Sequence, residues 1–175
     1  MKRRTARILR AVAAALVFVT AAYHLWWGFP RSLIYLQALG GGLPPDPRPF
    51  LFVALALVLL AGPYSVTRDY VSLRNAYVAG TVLLVGSIAA WVTWHATGHG
   101  AFLFDGLAAP SSGEGGHSHG STALLILDHF DTEPVEAAIK TVETAAVAIF
   151  VTLLWKDPAI VPKERSTERS DASET

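Results

Sequence analysis

The chain has 175 residues, carries 14 basic and 14 acidic side chains, and contains no cysteine. Hydrophobic residues make up 52% and charged residues only 16%, too few to coat a soluble domain of this size, so the composition selects a membrane class. Zero formal charge removes any overall basicity that would argue for nucleic acid as a partner. The missing thiols exclude disulfides, thiolate metal sites, iron–sulfur clusters and covalently attached c-type haem.

Four apolar stretches are each about long enough to cross a bilayer as a helix, at about residues 8–27, 47–66, 76–97 and 134–156. The expected fold is an all-α, four-helix transmembrane bundle over residues 1–160, followed by a polar, disordered cytoplasmic tail at 161–175. The first span follows a basic segment (Lys2, Arg3, Arg4, Arg7, Arg10) that could open a signal peptide. Its apolar run continues through Leu25, Trp26, Trp27 and Phe29, which favours retention over cleavage, and either outcome leaves the remaining topology unchanged. A short amphipathic piece from Arg31 to Leu39 is expected to lie at the interface, before the breaker cluster Gly40 to Pro45.

The second span starts at Asp46-Pro47, an N-cap and first-turn proline pattern, and is expected to end or kink at Gly62-Pro63. The third carries Ala76, Gly80, Gly86 and Ala90, small residues that permit close packing, and should stop near Gly98 or Gly100. The fourth opens at Thr132-Glu133-Pro134. Basic residues before the first span, between the second and third (Arg68, Arg74) and after the fourth (Lys156, Lys163, Arg165, Arg169) place both termini in the cytoplasm of a multi-pass cell-membrane protein.

That threading delivers all six histidines to the external end. His95 and His99 stand four apart on one helix face; His24 ends the first span, and His129 lies at the foot of the fourth. These four form the candidate metal set, with His117, His119, Asp128 and Asp131 as accessory ligands. Without sulfur, the donors suit Cu(II) or Zn(II); a single haem b held by His24 and His95 is an alternative cofactor. His24, His95 and His99 read alternatively as interfacial residues beside the belt tryptophans, His129 as part of a solvated acidic loop, and His117 and His119 as part of an inert solvated loop.

Glu136, Lys140 and Glu143 recur on one face of the fourth span, and Glu143 lies about 10 Å inward along the helix. Intramembrane charges cost roughly 2.5–3.5 kcal/mol each, so this stripe should face the bundle interior, with Lys140 available to both carboxylates. It is either a self-neutralised packing device or a path for protons or cations.

The run His24-Leu-Trp-Trp-Gly-Phe-Pro-Arg-Ser-Leu-Ile-Tyr-Leu-Gln37, with Asp46-Pro-Arg-Pro-Phe50, Trp94-His-Ala-Thr-Gly-His-Gly100 and the His117-Ser-His119 tract, resembles small four-span membrane proteins of halophilic archaea. The resemblance covers most of the chain outside the tail and implies a fold and a location, but no activity. The loops and tail depart from it in not being strongly acidic. No phosphate loop, nucleophile elbow, HExxH or dinucleotide fingerprint is present, so nothing supports an enzyme. The expectation is extracytoplasmic copper or zinc handling, with a non-enzymatic subunit or scaffold as the alternative. The partners expected are the lipid bilayer and a second copy or another membrane subunit.

Overall fold

A computed structural model describes residues 1–38, 46–96 and 133–160. Four helices account for nearly all of them: α1 (Arg3–Ala38), α2 (Arg48–Thr67), α3 (Leu73–Ala96) and α4 (Pro134–Lys156). Each is long and apolar enough to cross a membrane, and no strand occurs among the described residues.

The outer surface is unlike that of a water-soluble bundle. It carries large apolar side chains, including Phe18, Trp26, Leu51, Leu57, Val82 and Trp155. The interior takes small or polar ones, Ala13, Thr20, Ala21, His24, Ala56, Glu143 and Ala146, together with a few leucines, Leu59, Leu84 and Leu153. Hydrocarbon solvates the exposed apolar side chains at no cost, Thr20, His24 and Glu143 gain by avoiding it, and the alanines let the helices approach closely. The chain is therefore a multi-pass membrane protein.

The helices form a square in chain order. α1 packs against α2 and α4, and α3 packs against α4 and, more lightly, α2. Arg10 near the start of α1 pairs with Asp157 just after α4, so the start of α1 and the end of α4 lie at one end of the bundle, the terminal end. The central layer consists of Val17, Ala21, Ala56, Leu59, Leu84 and Ala146.

Three local features differ from the sequence expectation. α1 does not stop near Trp27; it continues without interruption through Pro30 to Ala38, so the described part of the expected amphipathic piece, Arg31 to Ala38, extends the span rather than forming a separate surface helix. Two side chains support this extension: Arg31 Nη1 donates to the Trp27 carbonyl at 2.9 Å, and Ser32 Oγ donates to the Gly28 carbonyl at 2.9 Å. α2 does not end at Gly62-Pro63 but runs to Thr67, one residue past the expected limit of the second span. Its end is a Schellman closure: Tyr70 N–H donates to Ser65 O and Asp69 N–H to Val66 O, with Asp69 left-handed at φ 58°.

The third difference concerns small residues. Gly86 meets nothing where a side chain would begin, so it does not seat a neighbour. Gly80 does, because a Cβ there would lie 2.6 Å from Phe150 Cε2. The tightest backbone approach is at Gly28, which the sequence did not mark: a Cβ would sit 2.8 Å from the Pro49 carbonyl oxygen and 3.0 Å from Phe52 Cβ.

Candidate functional site

The histidine at the end of the first apolar run is not an interfacial residue. His24 is 1% exposed, and its ring packs edge-on against Phe52 at 4.7 Å and Tyr23 at 5.7 Å. Its Nδ1 lies 2.8 Å from the carbonyl oxygen of Thr20. A carbonyl only accepts, so Nδ1 carries the hydrogen, and in a neutral ring Nε2 keeps the lone pair. That Nε2 faces Glu143 Oε1 at 3.6 Å.

Glu143 is completely buried and held by two further groups. Lys140 Nζ donates to Oε2 at 2.8 Å, and Ser87 Oγ of α3 donates to Oε1 at 3.2 Å. Lys140 also donates to Ser87 Oγ at 3.0 Å, closing a three-membered ring of hydrogen bonds. The helical period makes this possible: Glu136, Lys140 and Glu143 share the inner face of α4, where α1 and α3 flank them. Lys140 does not serve both carboxylates as the spacing allowed. Among the described residues it pairs with Glu143 alone, while Glu136 Oε2 accepts from Trp91 Nε1 at 3.0 Å.

His95 is also mostly buried, with Nδ1 2.8 Å from the Trp91 carbonyl and its ring 4.7 Å from the Trp91 ring. His99, His117, His119, His129, Asp128 and Asp131 lie outside the described residues. Among the described residues no three histidine, aspartate or glutamate side chains converge as a metal cluster would require. His24 thus meets the Glu143–Lys140 stripe rather than a second described imidazole.

Above this network, at the loop end, Arg48 forms an aromatic lid. Its guanidinium chelates Asp46, with Nη2 to Oδ2 at 2.7 Å, and lies 4.0 Å from the Trp94 ring centre and 5.8 Å from that of Trp27. Trp27 in turn contacts Phe52 at 4.9 Å. Asp46 Oδ1 also accepts the Arg48 N–H at 2.9 Å, so one carboxylate holds both the amide and the guanidinium of this arginine; the helix itself starts at Arg48 with Pro47 as its N-cap, one residue later than the sequence pattern suggests.

A second polar cluster lies at the opposite end. Asp157, completely buried, accepts from Arg10 Nη2 at 2.6 Å, Arg10 Nε at 2.9 Å, Tyr77 Oη at 2.9 Å and Ala159 N–H at 2.9 Å. Burial by itself pushes this carboxyl up. The Arg10 guanidinium, aided by the Ala159 and Tyr77 donors, outweighs burial and holds it below its ordinary value.

Sequence reasoning missed Ser87, Arg48, Gly28 and the Arg10–Tyr77–Asp157 cluster. One signal for the last was available: Asp157 directly follows the last span, the position where a carboxylate can reach a first-span arginine at the same end.

Fold and site together define a membrane-spanning four-helix bundle with a buried imidazole–carboxylate–ammonium centre. Comparisons with protein-family models, with curated proteins and with solved structures give no match.

Proposed function

We propose that this protein takes up and releases a proton at the buried His24–Glu143 pair, reached from the end of the bundle opposite the termini. One observation carries the reading: the Nε2 of His24, whose other nitrogen is committed to a carbonyl, faces a carboxylate oxygen at 3.6 Å in a non-aqueous interior. Two acceptors facing each other repel, and one proton on either group converts the contact into an attraction. Lys140 keeps the Glu143 carboxylate tolerable inside the membrane whichever partner holds that proton.

Polar groups lead inward from the loop end in the order Glu136, Lys140 with Ser87, Glu143 and His24. Beyond His24 stands Thr20, whose buried hydroxyl has no partner among the described residues. From Thr20 to Arg10 the path crosses about 15 Å of helix through the apolar layer of Val17, Leu59 and Leu84. That layer favours one-sided proton binding, as in a pH-responsive or proton-coupled membrane component, over proton conduction across the bilayer. By the positive-inside rule the basic residues support a cytoplasmic place for the terminal end, and on that orientation the proton enters from outside.

The test is pH-difference infrared spectroscopy with ¹⁵N-histidine NMR on protein in oriented vesicles. A protonated-carboxyl band lost in Glu143→Gln, titrating together with the His24 ring and driven by external pH alone, supports the reading. Failure of both groups to titrate while the fold persists removes it.

A second reading, copper or zinc binding, is favoured by one feature. His24 and His95 both tie Nδ1 to a carbonyl, the arrangement that commonly orients metal-ligating imidazoles through Nε2. Metal–ligand distances of about 2.0–2.2 Å set tetrahedral donors roughly 3.4 Å apart, close to the His24–Glu143 gap. Elemental analysis and an optical spectrum on purified protein distinguish metal, haem b and neither.

A further inference from the structure

The terminal end of the bundle carries a basic recess and an apolar groove that share one side chain. The recess, about 400 Å³, is lined by Arg3, Ala6, Arg7 and Arg10 of α1 and by Pro158 and Ala159 after α4. The groove, about 430 Å³, runs from Arg10 into the seam where α2 and α3 pack most lightly, between Val58, Gly62, Ala76, Leu83 and Phe150. Its volume is in the range of small-molecule sites, and its lining is almost wholly hydrocarbon.

The two features differ sharply in chemistry. Arg3, Arg7 and Arg10 recur at i, i+4 and i+7, so they form one stripe along α1. Arg10 is consumed by Asp157, the one carboxylate lodged against this stripe among the described residues. Arg3 and Arg7 have no acidic partner among the described residues, which leaves two cations beside the recess. Arg68 and Arg74, with Asp69 between them, lie in sequence beside the groove residues Val66 and Leu73 and leave one further net positive charge at this end. A ligand that satisfies both features has an anionic head and a long apolar chain, and it reaches the site from within the membrane.

We propose that an anionic phospholipid binds here, its phosphate on Arg3 and Arg7 and one acyl chain in the α2–α3 groove. Basic recesses between membrane helices hold anionic lipid head groups through the same charge complementarity. The acyl chain completes a helix seam that the protein's own side chains leave thin. This site is independent of the His24 centre, which lies beyond the apolar layer.

The test is native mass spectrometry of the full chain in maltoside micelles with equal phosphatidylglycerol and phosphatidylcholine. Single-equivalent retention of phosphatidylglycerol over phosphatidylcholine is expected. Each surface arginine contributes about 1 kcal/mol, so Arg3→Gln with Arg7→Gln should weaken the anionic lipid about thirtyfold. Gly62→Phe projects into open space at the groove and should reduce retention without touching the arginines. Salt provides a readout that needs no variant: retention should fall steeply on raising ionic strength. Equal retention of the two lipids, indifference to salt, or glycerol phosphate alone competing as well as whole lipid would each overturn the proposal.

Discussion

The Lys140–Glu143 pair can be tested by a double-mutant cycle. Glu143→Gln keeps the side chain's size and one acceptor but removes its charge, leaving the Lys140 ammonium with Ser87 Oγ and a neutral amide. The pair is almost entirely sheltered, Lys140 at 11% side-chain exposure and Glu143 at 0%, so screening offers little relief. Breaking such a pair on one side costs about 3–5 kcal/mol, because one charge stays buried alone. Lys140→Met should cost a similar amount by stranding the Glu143 carboxylate. Replacing both together removes two desolvation penalties at once, so Glu143→Gln with Lys140→Met should fall well short of the sum. A coupling energy of about 2–3 kcal/mol is expected. Reversible unfolding of the four proteins in mixed micelles, followed by circular dichroism, measures it. Additive single effects, with coupling under about 0.5 kcal/mol, would refute the buried pair and with it the electrostatic support proposed for His24.

Three other perturbations have definite signs. Gly28→Ala places a methyl group 2.8 Å from the Pro49 carbonyl oxygen, a backbone atom that cannot rotate away, so α1 and α2 must separate; a loss of about 1–3 kcal/mol is expected in thermal unfolding, against none at Gly86→Ala. Asp157 is held below its ordinary value of 3.8 in the folded protein. Its contribution to stability is thus present above that value and lost as pH falls through the lower, folded one, and Asp157→Asn should flatten this acid limb in melting curves and cost about 2 kcal/mol at neutral pH, discounted for the one-third exposure of Arg10. Asp69→Gly relieves a left-handed backbone at the end of α2 and should stabilise by up to about 1 kcal/mol, whereas Asp69→Val should destabilise in the same assay.

How many helices there are, and which of their faces is polar, follows from local properties that a linear chain already contains. Apolar length decides whether a segment spans, and the spacing of Glu136, Lys140 and Glu143 decides that they share a face. Even proline effects were only half legible. Proline removes a single donor, and neighbouring turns held α1 and α2 together through Pro30 and Pro63. What lies opposite a given face is another matter. His24 reads identically as a belt residue or an interior one until the rotation of α1 about its axis is known, and that rotation is set by Gly28 seating against Pro49 and by the square packing of the helices. The pairing of Lys140 with Glu143, the turn of Glu136 toward Trp91 and the union of Arg10 with Asp157 are all distance effects across separate helices. Periodicity carries no information about such distances, so only the assembled bundle decides them.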